Sequence, residues 1–135
     1  MRNLNSGFLY PGNLQTQWAD IRNFIKNAIL EQKNTENLFV IDLALIGRKQ
    51  KAFIQGSFST DGVCLEISPN LLEGDFDKNL KIMSLHSLGW KSPDKTIPNY
   101  YKYLPKSDST PEIIAQKFSE AFALGVKLSP EEVYF

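Results

Sequence analysis

The chain is short of the residues on which most enzyme and metal chemistry depends. Its 135 residues include one cysteine, Cys64, and one histidine, His86. A lone cysteine makes no internal disulfide, which fits a reducing compartment. One Cys and one His also fall short of the usual zinc ligand set. No excess of charge is present either: 15 Lys and Arg balance 15 Asp and Glu. A balanced chain has no general pull toward nucleic acid or anionic membranes. No stretch approaches the ~18 apolar residues of a membrane span. The opening MRNLNSGFLYPG lacks the apolar run of about 7–15 residues that a secretory signal needs. The eight glycines are scattered singly, so there is no Gly-rich phosphate loop. These absences lead to the expectation of a cytoplasmic protein with no metal, no cofactor, no nucleic-acid partner and no membrane partner.

The length fits one domain over 1–135, with 1–12 as a flexible lead. A domain of this size buries about two-thirds of its unfolded surface and can hold together by its core alone. Leu14, Trp18, Ile21, Phe24, Ile25, Ala28 and Ile29 fall on one stripe at about 100° per residue. They predict a helix over 13–33, capped by Asn13 and ended by NTEN at 34–37. LFVIDLALI at 38–46 alternates, which predicts a strand. GRKQ turns into a second strand at 51–58. STDG, with Asp61-Gly62 as the turn signal, leads into a third at 63–68. Val63, Leu65 and Ile67 face one way there, and Cys64, Glu66 and Ser68 the other. Three consecutive strands with short loops make an antiparallel meander.

PNLLEGD leads into a second helix over about 75–88, with Asp75 or Asp77 as cap. Gly89 stops it in the left-handed conformation. Pro93 and Pro98 forbid its continuation, and YYKYL at 100–104 has strand composition. Thr110 as cap, Pro111 in the first turn and Glu112 at the positive end open a last helix. It ends at Gly125 and leaves VKLSPEEVYF as a tail. The order α-β-β-β-α-β-α reads as α+β with an antiparallel sheet.

The second helix is apolar on more than one side. Phe76, Leu80 and Met83 make one stripe, while Ile82, Leu85 and Leu88 point elsewhere. Such a helix is buried on more than one side. Either its own domain sandwiches it, or a second copy covers it through Ile82, Leu85 and Leu88 in a homodimer.

Catalytic patterns are weak. Cys64 lies mid-strand and His86 mid-helix, with no loop presenting either as a nucleophile–base pair. DFDKN at 75–79 opens like a calcium loop, but Leu80 stands where the turn glycine belongs and His86 where the bidentate Glu belongs. The acids are better read as partners of a positive helix end. Glu131 and Glu132 read as a solvated tail rather than an acid/base pair. No catalytic residues are assigned, and no enzyme activity is expected.

Binding is better supported. A sheet of this kind has one face under helices and one that can stay open. Asp42, Gln55, Ser57 and Glu66 suit such an open face. Sheet edges also accept extended peptides. LGWKSPDKTIPNYYKYL, at 88–104, places Trp90, Tyr100, Tyr101 and Tyr103 beside the sheet, and such aromatics favour interfaces. With Gln55 and Glu66 they form the candidate partner-binding set. The plainer alternative for Trp90 is that it plugs the end of the core.

The pieces AFIQG, LEIS, LGWKSPD, PNY and GVKLSPEEV, with Trp18 in the first helix, cover roughly 14–134. On these pieces the chain resembles the type III secretion chaperone-like and YbjN-like (TY-Chap) peptide-binding domains. Leu88-Gly89-Trp90 followed by Pro98-Asn99-Tyr100 is the distinctive part. The resemblance implies an α-β-β-β-α-β-β-α fold, one strand more than the chain's own pattern gives. That strand is either a split of 98–104 or lies elsewhere. It also implies a small cytoplasmic, commonly dimeric protein that holds extended segments of a client without catalysis or cofactor. Secretion chaperones are usually acidic and this chain is balanced, which weighs against a dedicated secretion role. The competing expectations are an immunity or antitoxin-type protein that caps one toxin, a small enzyme with a polar pocket around His86, and a structural subunit.

Overall fold

Alternation in the strands decides the architecture. The computed structural model describes residues 14–33, 37–48 and 51–135. The flexible lead 1–12, the Asn13 cap, residues 34–36 of the NTEN stop and residues 49–50 of the GRKQ turn lie outside the described residues. The elements are α1 (Leu14–Lys33), β1 (Leu38–Leu45), β2 (Lys51–Ser59), β3 (Gly62–Ile67), α2 (Lys78–Ser87), β4 (Tyr100–Pro105), α3 (Pro111–Glu120) and β5 (Val133–Tyr134). The strands form one sheet in the order β4-β3-β2-β1-β5, with every pairing antiparallel. Among the described residues this is an α+β fold with a five-stranded sheet and three α-helices. Among the described residues, no helix is long and apolar enough to cross a membrane.

Phe39, Ile41, Leu43 and Leu45 of β1, Ile54 of β2, and Val63, Leu65 and Ile67 of β3 point to one side and are buried. Ile21, Ile25 and Ile29 of α1 and Ile114 and Phe118 of α3 cover them. Thr110 caps α3 as expected, accepting from the Ile113 N–H. The helix runs to Glu120 and then widens into a π turn, Ala121–Gly125, in which the Val126 N–H reaches Ala121 O at 2.8 Å.

The expected tail is a structural element. Val133 and Tyr134 pair with Leu45 and Ala44, and the Phe135 ring stacks on Phe24 at 4.6 Å. The fifth strand therefore follows α3. No second strand lies between β4 and α3, where a 3₁₀ turn at Lys106–Asp108 leads to the cap.

Helix α2 starts later than the spacing suggests, because Asp75 is occupied elsewhere. Its carboxylate takes Arg48 Nη2 at 2.6 Å and Lys81 Nζ at 2.9 Å. Arg48 Nη1 also donates to Glu73 O at 3.2 Å. Asp77 occupies the N-cap position without a side-chain capping bond. The acids of DFDKN thus clamp the turn after β1 to the start of α2.

At the other end of α2, Gly89 adopts φ +93°. Lys102, reaching from β4, donates to Leu88 O at 2.6 Å and takes up one of the helix's unpaired carbonyls. A side chain at Gly89 would run into Lys102 Nζ. Burial lowers the Lys102 pKa, helped by the nearby Lys117. The LGWKSPD stretch is therefore a junction. Gly89 stops the helix and Trp90, 2% exposed, closes the core against Phe118 at a ring distance of 5.8 Å.

Two predictions follow from these contacts. Gly62 has φ +152°, and a Cβ there would meet the backbone carbonyl of Leu104 on the neighbouring strand. Gly74 has φ +82° but open space around it. In urea denaturation Gly62→Ala should cost more than Gly74→Ala by over about 1 kcal/mol, the scale of an overpacking penalty. The second concerns Asp75. Burial alone raises its pKa, but Lys81 and Arg48 outweigh that and hold the carboxyl below its usual value. A carboxyl lowered on folding adds stability above its unfolded pKa, and that stability fades as pH falls through the folded pKa. Asp75→Asn should therefore cost about 2 kcal/mol near neutral pH. Urea midpoints of the two proteins should converge as the solution is acidified below the ordinary carboxylate range.

Candidate functional site

The residues that alternate with the core form the second face of the sheet, and none of the described helices covers them. Leu38, Val40 and Asp42 of β1 and Ser57 of β2 are exposed. Phe53 and Gln55 of β2, Cys64 and Glu66 of β3 and Tyr101 of β4 are half-buried. Tyr103 is 61% exposed. The register aligns them in rows across four strands. One row is Val40, Gln55, Glu66, Tyr101; the next is Leu38, Ser57, Cys64, Tyr103.

The first row carries a fixed polar network. Gln55 Nε2 donates to Glu66 Oε1 at 3.0 Å, and Asn99 Nδ2 donates to the same oxygen at 2.7 Å. Among the described residues, Glu66 Oε2 makes no hydrogen bond. Tyr101 OH donates to Asp94 Oδ2 at 2.8 Å. The other oxygen of Asp94 accepts from the backbone N–H groups of Thr96 and Ile97, at 2.8 and 2.9 Å. These bonds, the Ile97 N–H first, hold the Asp94 pKa down. The bond to Asp94 in turn raises the Tyr101 phenol.

The second row is softer. The Tyr101 and Tyr103 rings meet edge to face at 5.7 Å. Ser57, Ser59, Asp61, Cys64, Tyr103 and Pro105 line a recess of about 520 Å³. Burial, then the charge of Glu66, pushes the Cys64 pKa up, against a hydrogen bond shared with Tyr103. At neutral pH the thiol stays protonated and is a poor nucleophile.

A larger groove of about 790 Å³ runs between α1 and α3. Arg22 and Lys26 line one wall, Glu112 and Glu120 the other, and no aromatic residue takes part. Its side chains are mostly charged and polar, with Ala19 and Ala115 as the apolar members, so the candidate site is placed on the sheet, where aromatic and polar groups meet.

The structure divides the expected site residues. Gln55, Glu66, Tyr101 and Tyr103 come together on the open face. Trp90 and Tyr100, 3% exposed, belong to the core. Tyr100 sits on the buried side because neighbouring strand residues point opposite ways. Of the expected dimer residues, Leu85 is wholly buried and would meet any side chain placed at Gly125. Ile82 and Leu88 are half-buried against the same core. Leu85 is thus unavailable to a second copy, and the domain itself sandwiches this side of α2. The exposed apolar residues of this region are Phe76, Leu80 and Met83. His86 is exposed, lies 2.9 Å from Ser92 Oγ, and lines neither recess. Neither Asp94 nor Asn99 is in the partner-binding set expected from the sequence. Asn99 lies in the PNY piece, but only its proximity to Glu66, 33 positions away, gives it a role.

No protein-family model, curated protein or solved structure matches the chain.

The division of the aromatics is measurable. Trp90→Ala should cost about 3–5 kcal/mol, as expected for emptying a core site. Tyr103→Ala should stay within about 0.5 kcal/mol of the parent. Urea unfolding of both variants tests this, and equal costs would contradict the assignment.

Proposed function

We propose that this chain is a non-catalytic, chaperone-like cytoplasmic protein that holds an extended segment of a partner polypeptide on the open face of its sheet. The observation that carries the reading is the one-sided burial of that sheet. It leaves Leu38, Val40 and Tyr103 in solvent in two adjacent rows. Leu38 and Val40 lie on β1 and Tyr103 on β4, with Gln55, Ser57, Cys64 and Glu66 between them, and interaction surfaces commonly mix apolar and polar groups in this way. The face runs to the edge strand β4, whose outer side is bridged among the described residues by Lys91 at Tyr101. An extended partner can add to such an edge through its backbone while side chains settle on the face. The resemblance of LGWKSPD and PNY to secretion chaperone-like and YbjN-like domains supports the same reading. In this chain the last strand follows the last helix, a departure from the family's order. The reading needs neither cofactor nor catalytic group.

A second reading, capping of a folded partner such as a toxin, is favoured by a different surface. Phe76, 102% exposed, stands in the turn before α2, and Leu80 and Met83 are exposed three residues apart on the helix itself. Exposed apolar side chains on a short rigid element suit a folded partner or a second copy better than an extended chain.

Photo-crosslinking separates the two. A benzophenone amino acid is placed at Tyr103 or at Met83, the protein is irradiated in its native cell, and adducts are identified by mass spectrometry. The extended-segment reading expects a heterologous adduct from Tyr103, mapped to an unstructured stretch of the partner. An adduct from Met83 alone supports capping, or a homodimer where the adduct is the chain itself. Adducts from neither position would overturn both readings.

A further inference from the structure

Any segment laid over the open face must cover Glu66. Gln55 and Asn99 both bond to Oε1, so the two amides fix the carboxylate and leave Oε2 without a hydrogen bond among the described residues. A carboxylate oxygen stripped of water without a donor is costly. The segment must therefore bring a donor to that point. A charged donor suits a carboxylate best.

The surroundings select a cation. Tyr101 stands directly across from Glu66, and Tyr103 lies in the next row. The two rings, 5.7 Å apart, meet edge to face at 79°. Tyrosine faces attract ammonium and guanidinium groups. Asp94 is fixed behind Tyr101 by its bonds to Tyr101, Thr96 and Ile97. Asp42 is exposed on the same face. The cations nearby are Lys91, bridged to the edge of β4, and Lys51, at the far end of β2 opposite Ala44. Neither makes an ion pair with Glu66 among the described residues. The thiol of Cys64 is neutral at physiological pH, because burial and the Glu66 charge both raise its pKa.

We infer that the open face carries a seat for one basic side chain, with Glu66 Oε2 as acceptor and the Tyr101–Tyr103 pair as aromatic wall, and that the held segment presents an Arg or Lys there. This rests on the reading of the open face as the partner site and adds the chemistry of what it selects. Arginine fits better than lysine, because its planar fork can bond the carboxylate and stack on a tyrosine at once.

The test is a ¹H–¹⁵N NMR titration of the full chain with N-acetyl-arginine N-methylamide. Its uncharged isostere, N-acetyl-citrulline N-methylamide, is titrated alongside. The arginine probe should shift the amides of Glu66, Tyr101 and Tyr103 and bind at least about tenfold more tightly than the citrulline probe. Glu66→Gln should abolish that preference. Tyr103→Leu, which keeps the carboxylate and removes a ring, should weaken the arginine probe by about two- to fivefold. Dispersed spectra of both variants verify folding. Equal response to the two probes, no response to either, shifts confined to another face, or an unchanged preference in Glu66→Gln would overturn the seat. A Tyr103 crosslink to a partner without any arginine preference would overturn the seat alone and leave the docking reading standing.

Discussion

A pleated sheet has two faces, and here the helices cover one. Every other feature follows from that constraint. Strand residues alternate, so burying Phe39, Ile41, Leu43 and Leu45 forces Leu38, Val40, Asp42 and Ala44 to the other side. The same parity in β2, β3 and β4 aligns Gln55, Glu66 and Tyr101 in one row. The register that fills the core is the register that composes the open face. A slip of one residue would exchange the two sets, so core stability and surface composition are set by the same pairing.

The helices are held to the covered face by contacts that join distant parts of the chain. Asp75 gathers Arg48 and Lys81 at the start of α2. Lys102 takes the carbonyl of Leu88 at its end. Leu85, fully buried between these two anchors, meets the π turn at Gly125. Helix α2 is only ten residues long, too short to be stable in isolation. Its anchors therefore account for its position, and its position turns Phe76, Leu80 and Met83 outward.

Much of this architecture was legible because its causes are local. Asp61-Gly62 marks a tight turn, Thr110-Pro111-Glu112 marks a helix start, and the alternation in VCLEIS assigns Cys64 and Glu66 to one side. The features that were not legible have non-local causes. Val133 and Tyr134 are strand-prone types but too short a run to mark a strand; they are one because Ala44 and Leu45 offer an edge and Phe24 receives Phe135. The start of α2 depends on Arg48, 27 positions from Asp75. The inward side of α2 was ambiguous because its apolar residues surround the axis, and only the place of Gly125 selects Leu85. At the site, Gln55 and Glu66 followed from parity, whereas Tyr101 and Tyr103 were expected only as part of an aromatic-rich stretch. Trp90 and Tyr100 share the composition of interface aromatics but sit where the chain closes its core, and composition does not distinguish those two environments.

The open face also explains why its polar groups are arranged as they are. An exposed sheet bearing Leu38, Val40 and Tyr103 invites unspecific pairing with other sheets. Glu66 and Asp42 oppose this, because a flat apolar strand laid across them would bury a carboxylate without a partner. A segment that supplies a donor escapes that penalty and keeps the apolar contacts. Gln55 and Asn99 hold Glu66 through Oε1, so in the proposed docking little side-chain freedom would be lost. If the proposed seat operates, the same carboxylate would disfavour chains lacking a matched donor and favour those carrying one, adding selectivity to backbone hydrogen bonding that alone would accept any extended chain.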